Sequence, residues 1–371
     1  MQSIMFIAPV DLMDKSNGVT QKVINQYNAF CGSFDAYLAA FEADNVVIYH
    51  HNNLEYRDGN KKIQRVIRLN KVDWFIKEHH IENLYIRYML SLPPFIKLLH
   101  NVKKSTKKIA IEIPDYPYTP QLLIKRQYAR FICDWLLNRS LKCYVNKVFI
   151  CSKDKKLFGI EATQLINGTD VEKYRMRNAF NTSTEYIEVL SLSKMGVATA
   201  VDRFLLGMKA YEEKSGKRKI RLHMVGNGDC FEKYCSVINE LQLNDSVVIY
   251  GGIPNDQLLG VFSKCDMALG AIGFHRAHIH NDSTLKVREY GLRGMPIIAE
   301  NQLDIVDDDY PYVMYCPYSE EPVDMETVVA FYDKCFAEKK VEDVASEIRS
   351  YFLERCDVSK TMKPIIEYFL N

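Results

Sequence analysis

The sequence predicts an α/β protein with two doubly wound parallel-sheet domains that face each other across a deep cleft. The length of 371 residues is enough for two domains with separate cores. Strand-length apolar runs alternate with helix-like segments along both halves of the chain, which is typical of parallel sheets buried on both faces. Gly18, Gly226, Gly251 and Gly270 follow such runs, at the strand ends where ligands bind in open α/β sheets.

The N-terminal domain is expected over residues 1–168. Its elements are, in order, the strand SIMFIAPV, a helix over 18–34, the strands NVVIYHH and NLYIRYM, the helix PPFIKLLHNV, the strand KIAIEI, the long helix QLLIKRQYARFICDWLLNRSLKCYV and the strand KVFICS. Apolar runs of this length between helices indicate a parallel sheet covered on both sides.

A second domain is expected over residues 169–350, after a polar linker at about 170–185 that contains NTSTE. Its elements are the strand YIEVLSLS, the helix AVDRFLLGMKAYEEK, the strand IRLHMVGNG, the helix FEKYCSVINELQL, the strand SVVIYGG, the helix NDQLLGVFSKC, the strand DMALGAIG, and a last helix and strand within 282–300. The closing helical stretch, residues 351–371, is expected to cross back to the first domain.

Composition indicates an ordinary globular protein of the cytoplasm. Hydrophobic residues make up 47% of the chain and charged residues 26%, and no apolar run is long enough to span a bilayer. The start MQSIMFIAPVDLMD lacks the basic end and long apolar core of a signal peptide. Ten cysteines without a CxxC pair favour free thiols in a reducing compartment over disulfides or zinc.

The net charge of +1 hides two halves of opposite sign. Residues 1–170 carry 24 basic and 16 acidic side chains, whereas the remainder carries 24 and 31. The segment 97–147 alone holds eleven basic residues against three acidic ones, a pattern that attracts phosphates, anionic lipid or nucleic acid. Nucleic acid is the less favoured partner because no aromatic-rich recognition motif accompanies the charge. The basic residues of the long helix indicate either peripheral membrane contact or a solvated face.

The stretch DSTLKVREYGLRGMPIIAE, residues 282–300, is the most informative. Asp282 or Ser283 can cap a helix that starts near Thr284, and Gly294 followed by Pro296 ends it. Free amides and the helix dipole attract anions at such a start.

Two charged side chains of this helix fit a ligand. Ser283 and Glu289 are separated by about 9 Å along a helix, a span that suits a nucleotide diphosphate. The phosphates would lie at the first amides and Lys286, and the ribose hydroxyls at Glu289. A capped surface helix with a Lys286–Glu289 pair explains the same spacing equally well.

The segment 285–296, with EYGLRGMP at its centre, resembles the end of the Glu-x7-Glu motif of glycosyltransferase family 4, a retaining group with the two-domain, Rossmann-like GT-B fold. The variant S-x-L-K-x-R-E-Y resembles the branch found in bacterial polysaccharide clusters. EIPDYPY, FICSKDKKLFGIEATQLINGTDV and VGNGD resemble further elements of that branch and family, in the right order. Matches therefore run along nearly the whole chain.

The resemblance implies roles for individual residues around a UDP- or GDP-sugar. Lys194, Lys286 and Glu289 would be catalytic: the lysines stabilise the departing phosphate and Glu289 holds the ribose. The other positions implied to bind the donor are Gly18, Arg203, Gly226, Tyr250, Ile253, His275, Arg276, Asn281, Ser283, Thr284 and Leu285. Tyr250 to Ile253 would hold the nucleobase, Thr284 and Leu285 would offer amides to the diphosphate, and His275 and Arg276 would face the sugar.

Three positions depart from the family's pattern. Asn281 stands where the motif has its first glutamate, which contacts the donor sugar. Arg203 is the nearest substitute for a second basic residue that usually follows Lys194. Pro114 stands near the position of an acceptor-side histidine, and Asp115 would take part of its role.

The implied activity is transfer of a sugar, with retention, to a lipid-linked or oligosaccharide acceptor in cell-surface or capsular polysaccharide assembly at the cytoplasmic membrane face. No metal or other cofactor is expected to be required. The first domain would bind the acceptor and the second the donor. Two alternatives stay open: a non-catalytic relative that binds nucleotide sugars, and a nucleotide-sugar epimerase of the same fold. A zinc site in HRAHIH (275–280) and a NAD site at VGNGD are disfavoured because each pattern is incomplete.

Overall fold

The computed structural model describes residues 1–14, 17–59, 63–114, 116, 118, 122, 126–181, 185–214, 216 and 218–371. The chain forms two compact units. Unit 1 comprises Met1–Thr169 and Asp357–Asn371, and unit 2 comprises Asp170–Cys356. No helix in the described ranges is long and apolar enough to cross a membrane.

Fifteen strands are defined within the described residues. They are β1 (Ser3–Asp11), β2 (Asp35–Glu42), β3 (Asn45–His50), β4 (Asn53–Arg57), β5 (Asn83–Arg87), β6 (Lys108–Ile113), β7 (Lys147–Ile150), β8 (Lys156–Leu157), β9 (Ile160–Gln164), β10 (Tyr186–Leu192), β11 (Lys219–Val225), β12 (Val247–Gly251), β13 (Met267–Leu269), β14 (Ile297–Ala299) and β15 (Val313–Tyr315). The first nine form the sheet of unit 1 and the last six form the sheet of unit 2.

The helices of the described residues connect these strands. They are α1 (Gly18–Cys31), α2 (Arg65–Leu69), α3 (Asp73–Glu78), α4 (Pro93–Val102), α5 (Tyr128–Leu137), α6 (Val201–Glu213), α7 (Phe231–Glu240), α8 (Asn255–Phe262), α9 (Leu285–Leu292), α10 (Met325–Phe336), α11 (Val341–Cys356), α12 (Val358–Thr361) and α13 (Lys363–Leu370). A 3-10 helix, Asn138–Cys143, continues α5.

The sheet of unit 1 has the order β4-β3-β2-β1-β5-β6-β7-β9-β8. Its central strands are parallel, whereas β2, β3 and β4 form an antiparallel edge. β2 is not among the strands that the sequence predicts. Its residues between Asp35 and Glu42 are all buried, so they show no polar alternation, and their alanines suit a helix as well as a strand.

The long helix predicted over 121–145 is shorter in the structure. α5 begins at Tyr128, and the 3-10 helix that follows it ends at Cys143. Residues 121 and 123–125 of the predicted helix lie outside the described residues. A backbone break precedes α5, since Arg126 has a φ of 53°, which a continuing right-handed helix does not allow.

The last two helices belong to unit 1. Met362, Ile365 and Phe369 are buried in the same apolar cluster as β1 and α1. The ring of Phe369 meets those of Phe30 and Phe34 edge-on, with centroids 6.5 and 6.4 Å apart. Apolar burial therefore holds the C-terminal segment on the first sheet.

A buried carboxylate, Glu112, joins α1 to the carboxyl ends of the central strands of unit 1. Its oxygens accept hydrogen bonds from Lys22 Nζ (2.6 Å), Gln26 Nε2 (2.8 Å), Tyr85 OH (2.7 Å) and Arg87 Nη1 (2.9 Å). Burial alone would raise the pKa of Glu112, but the charges of Lys22 and Arg87 outweigh it and lower the pKa to about 2. The side chain of Glu112 is 0% exposed, so its ionisation depends on these partners.

The sheet of unit 2 is parallel throughout and has the order β12-β11-β10-β13-β14-β15. The predicted linker at 170–185 is only partly described, because residues 182–184 lie outside the described ranges. Its earlier part belongs to unit 2 and is packed within it, so it is not a free linker. Arg177 is fully buried there and donates hydrogen bonds to the carbonyls of Cys265 and Gly294, the latter at 3.1 Å.

Candidate functional site

The carboxyl edge of the unit 2 sheet has the geometry of a ligand site. All six strands are parallel, so the loops that follow β10, β11, β12 and β13 leave at the same edge. The chain order reverses between β10 and β13, which are neighbours in the sheet. Open α/β sheets bind ligands at such a reversal, because the loops on either side diverge and leave a crevice.

α9 begins at this edge, after β13. The Asp282 carboxylate accepts a hydrogen bond from the Thr284 amide at 2.8 Å, and Ser283 Oγ donates one to Asp304 at 2.6 Å. Thr284 is the residue before the helix, and its side chain makes no capping bond. The first amides of a helix have no partner inside it. This helix start is therefore able to accept an anion.

Several polar atoms at the start of α9 make no hydrogen bond within the described part of the chain. They include the buried Asp282 Oδ2 and Thr284 Oγ1. Lys286, which is partly exposed, forms no hydrogen bond or ion pair there either. Burial lowers the pKa of Lys286 to about 8, against the opposing charge of Asp282. The structure thus provides an ammonium group and a hydroxyl group that are available to a ligand.

Glu289 lies one turn further along α9 and pairs with Arg293. Its Oε1 accepts hydrogen bonds from Arg293 Nε at 2.9 Å and Nη2 at 2.8 Å. The Lys286–Glu289 pair that the spacing also allowed is not formed. Burial raises the pKa of Glu289, while the Arg293 charge opposes that shift. Oε2 has no hydrogen-bond partner in the described ranges, so one carboxylate oxygen stays available.

Tyr290 connects α9 to the loop that carries Lys194. Its hydroxyl accepts a hydrogen bond from the Leu192 amide at 2.9 Å and lies 3.0 Å from the Leu192 carbonyl and 3.2 Å from that of Leu269. These carbonyls mark the ends of β10 and β13. Lys194 follows two residues after Leu192 and is exposed. The structure therefore brings Lys194 and α9 to the same edge of the sheet.

Gly226 is required by the close approach of two backbones. It has a φ of 116°, and a Cβ atom there would lie 1.9 Å from the Ser193 carbonyl oxygen. Its amide donates a hydrogen bond to the Gly251 carbonyl at 2.7 Å. Gly226 thereby supports the loop of Lys194. A direct contact between Gly226 and the donor stays a prediction.

Tyr250 and Ile253, the residues predicted to hold the nucleobase, lie at the end of β12 and just beyond it. Tyr250 OH is 3.0 Å from His223 Nδ1, and His223 Nε2 is 2.8 Å from a carboxylate oxygen of Glu188. Both Tyr250 and Ile253 are partly exposed. The sheet thus fixes the Tyr250 ring while part of the residue still reaches the solvent.

Arg203 is buried and makes all its contacts with protein groups. Its Nη1 donates to Glu300 at 2.7 Å, and its other nitrogens donate to the carbonyls of Glu321 (2.8 Å) and Pro317 (3.1 Å). Only 1% of Arg203 is exposed. One of these contacts reaches the edge, since Nη1 also donates to the carbonyl of Ile272 in the loop after β13. A direct contact between Arg203 and the donor stays a prediction.

His275 and Arg276 are also held by protein carboxylates. His275 Nδ1 lies 2.6 Å from Glu300 Oε1, and Arg276 donates to Asp202 at 3.1 Å and to Glu320 at 2.7 Å. The hydrogen bonds that Arg276 donates to Glu320 and Asp202 raise its pKa above its usual value. Both side chains therefore shape the loop before α9, and their predicted sugar contacts would need these pairs to open.

Glu300 is the residue of this region that sequence reasoning missed. Its side chain is 0% exposed and binds both Arg203 and His275. The signal was its position directly after β14, where a polar residue ends a fully buried strand. Asn281, the altered position of the motif, is partly exposed just before Asp282 and has no hydrogen bond in the described residues.

The two site residues predicted in unit 1 have different outcomes. Gly18 is exposed and is the first residue of α1, where the Asn17 side chain accepts a hydrogen bond from the Val19 amide. Asp115, the predicted acceptor-side residue, lies outside the described residues.

No protein-family model matches the sequence, and no curated protein matches it. Solved structures do match along the whole chain. A sucrose-phosphate synthase from Thermosynechococcus elongatus has a TM-score of 0.70 at 12% identity, with 100% of this chain and 99% of that chain covered. A glycosyltransferase from Rickettsia africae has a TM-score of 0.65 at 12% identity, with 99% and 98% covered. Anabaena HepE in complex with UDP has a TM-score of 0.65 at 15% identity, with 100% and 99% covered.

These similarities concern the fold, because a shared fold at 12–15% identity does not establish a shared function. The matches extend over both units, whose sheets of nine and six strands are mainly parallel. The predicted fold class, an α/β protein with two doubly wound domains of the GT-B type, is therefore confirmed.

Proposed function

We propose that the protein is a glycosyltransferase that moves a sugar from a UDP- or GDP-sugar to a lipid-linked or oligosaccharide acceptor. The observation that carries this proposal is the start of α9. An uncapped helix N-terminus, the unpaired Lys286 ammonium and the free oxygen of Glu289 occur within two turns of one helix. This spacing suits a diphosphate at one end and a ribose at the other.

The structural neighbours support the choice of donor. Anabaena HepE was solved with UDP and with UDP-glucose. Two other structural neighbours are a sucrose-phosphate synthase and a glycosyltransferase. By analogy with these folds we propose a nucleotide sugar as the donor for this chain, and we retain the polysaccharide-assembly role implied by the resemblance of the motif.

The proposed chemistry follows from charge. Cleavage of the bond between sugar and phosphate leaves negative charge on the diphosphate. The amides of Thr284 and Leu285 and the ammonium group of Lys286 would stabilise this charge at fixed positions. Lys194 would do so from the loop after β10. Glu289 would fix the ribose, so that the diphosphate is held in one position relative to these amide and ammonium groups.

No carboxylate nucleophile is assigned in this proposal. In unit 2, Glu300 binds Arg203 and His275, and Asp304 binds Ser283, so neither of these two carboxylates is assigned as a nucleophile. Retention would then proceed without a covalent intermediate on the protein, with the leaving phosphate taking the proton of the acceptor hydroxyl.

The ribose contact gives the first test. Glu289→Ala should weaken UDP or GDP binding by roughly 10- to 100-fold, the value of a hydrogen bond to a charged group. A nucleotide that lacks the contacted ribose hydroxyl should bind wild type with a similar loss of affinity. The Glu289→Ala variant should bind this nucleotide as well as it binds the complete one. Titration calorimetry with UDP, GDP and their 2′- and 3′-deoxy forms measures both losses.

Glu185→Ala is the matched control, because Glu185 is an exposed carboxylate at the amino end of β10 in the same unit. It should bind all four ligands as wild type does. A wild type that neither binds nor hydrolyses nor transfers any nucleotide sugar would refute the enzyme proposal. Binding without turnover would instead identify a non-catalytic relative. Conversion of the free nucleotide sugar into its epimer would identify an epimerase.

We further propose that α5 attaches unit 1 to an anionic membrane surface, where a lipid-linked acceptor would be found. Most of the exposed side chains of α5 are apolar or aromatic, and its one buried side chain is a carboxylate. Tyr128, Ile132, Trp135 and Leu136 are each more than half exposed. Asp134 is 1% exposed and accepts hydrogen bonds from the Ser91 amide at 2.6 Å and from Tyr88 and Tyr118 hydroxyls.

The charges around α5 favour a membrane over a neutral partner. Within 97–147 the two acids in the described ranges, Glu112 and Asp134, are both buried, whereas Arg126, Arg130, Arg139 and Lys142 are exposed. Arg139 lies over the Trp135 ring at 5.8 Å. Apolar and aromatic side chains next to arginines are typical of helices that lie in the lipid headgroup region.

Trp135→Ala combined with Leu136→Ala should reduce binding to vesicles that contain phosphatidylglycerol by roughly tenfold or more, because two exposed apolar groups no longer enter the bilayer. Wild-type binding should weaken at high salt and on pure phosphatidylcholine. Vesicle sedimentation measures this, and Trp74→Ala is the control because Trp74 is 44% exposed outside α5. Equal binding of wild type and the α5 variant, or self-association through α5, would contradict the membrane proposal.

A further inference from the structure

We propose that unit 1 contains a zinc site formed by Asp35, His50 and His51. These residues lie where β2 begins and β3 ends, and none of them is among the candidate site residues above. One ligand atom of each lies within 4.8 Å of the others. The proposal does not depend on the proposed transferase function.

The ligand atoms already converge. Asp35 Oδ1 is 2.6 Å from His50 Nε2 and 3.3 Å from His51 Nε2. In a tetrahedral zinc site with bonds of about 2.0–2.1 Å, neighbouring ligand atoms are roughly 3.3 Å apart. The Asp35–His51 separation matches that edge. The Asp35–His50 separation is that of a hydrogen bond and would open by roughly 0.7 Å when the metal replaces the shared proton.

The backbone explains how two consecutive histidines reach one point. Consecutive side chains of a strand point to opposite faces. His50 is the last residue of β3, but His51 and Asn52 have φ values of 42° and 71° in the turn to β4. This left-handed turn brings the His51 ring beside that of His50, with centroids 4.9 Å apart. A non-glycine residue in this region is unusual and costs free energy.

Neighbouring groups hold the His50 ring in place. Tyr37, on β2, stacks on it with centroids 4.3 Å apart and planes inclined by 7°. Glu55 Oε1, on β4, lies 3.7 Å from His50 Nδ1, the nitrogen opposite the proposed metal. A carboxylate on the second nitrogen of a metal-binding histidine orients the ring and increases its basicity. The separation of 3.7 Å is longer than a hydrogen bond, so Glu55 would act as a positioning residue through its charge.

The donor set indicates the metal. Two imidazole nitrogens and one carboxylate oxygen suit Zn²⁺, whereas Mg²⁺ and Ca²⁺ prefer oxygen ligands. The side chains of Asp35, His50 and His51 are 30–40% exposed, so water completes the fourth position. The metal would join the start of β2 to the turn after β3 and so clamp the antiparallel edge of the sheet.

Cobalt(II) and zinc titrations of chelator-treated protein test this site. Wild type should bind one equivalent more metal than His51→Ala or Asp35→Ala, and the added cobalt should show the visible absorption of a tetrahedral site without a thiolate band. Zinc should raise the melting temperature of wild type and not of these variants. Glu55→Ala should weaken binding roughly tenfold or more.

His100→Ala is the control, since it removes an exposed imidazole of unit 1 outside the cluster. It should bind metal as wild type does. Circular dichroism checks that each variant is folded. The proposal is overturned if His51→Ala and Asp35→Ala bind as much metal as wild type. It is also overturned if the cobalt spectrum shows thiolate ligands, which the ten cysteines could supply because none of them forms a disulfide.

Discussion

Replacement of Glu112 by alanine should lower the free energy of unfolding by about 3–5 kcal/mol, because it leaves two buried cations without their counter-charge. Lys22 and Arg87 both donate to Glu112, at 2.6 and 2.9 Å, and the site is closed to water. Urea denaturation at pH 7 measures the loss. The exposed carboxylate of Glu161, which pairs with Lys147 on the same sheet, is the control, and Glu161→Ala should unfold close to wild type.

The same network predicts a pH dependence. The pKa of Glu112 is lowered to about 2 in the folded chain. Its contribution to the free energy of unfolding is therefore fully present at pH values above the pKa in the unfolded chain, about 4.3. It should be lost as the pH falls from about 4.3 towards 2. The difference in stability between wild type and Glu112→Ala should therefore shrink over that window. A difference that stays constant down to pH 2, or a variant as stable as wild type at pH 7, would contradict the assigned role.

Local signals predicted α9 well. Asp282 and Ser283 mark its start, Gly294 and Pro296 its end, and the helix runs from Leu285 to Leu292. Each of these signals acts within a few residues, which is why sequence reading found them. The partner of Glu289 was not predictable in this way. Lys286 and Arg293 both have helical spacing to it, and only the structure shows that Arg293 is the partner.

The basic residues around the site could not be assigned from sequence. Arg203 and His275 share the buried carboxylate of Glu300, which is 97 and 25 residues away from them in the chain. A motif resemblance aligns positions, but it gives no information on which carboxylate a side chain contacts. The fold that brings β14 beside β13 creates these pairs, so they follow from topology and not from local pattern.

The same reason explains the unpredicted Asp35–His50–His51 cluster. Its members become neighbours only because β2 pairs antiparallel with β3, in a register that places Tyr37 opposite His50. β2 itself was missed, since its buried alanines and aromatic residues carry no periodic signal. A site formed by such long-range strand pairing can be found in the structure, but local sequence patterns do not predict it.

Lys286→Ala should reduce sugar transfer by roughly 10²–10³-fold, the effect of removing one charge-stabilising donor from an active site. The loss should be mainly in kcat, since the diphosphate gains its charge as the bond to the sugar breaks. The ammonium group of Lys286 is the group at the start of α9 that carries a positive charge and no protein partner in the described ranges. Measurement of kcat and KM with the preferred nucleotide sugar separates this from a simple binding defect.

The pKa of Lys286 makes the assignment testable without removal of the side chain. Because burial lowers this pKa to about 8, the group is charged below that pH and neutral above it. The affinity for UDP or GDP should therefore fall as the pH rises from 7 to 9, where the phosphates themselves remain ionised. Lys286→Arg should keep its charge and bind equally at both values. Lys209→Ala, which removes a lysine from α6 of the same unit, is the control. Its affinity for UDP or GDP should fall with pH as that of wild type does. If Lys286→Arg shows the same decline as wild type, another group carries the pH dependence and Lys286 does not bind the phosphates.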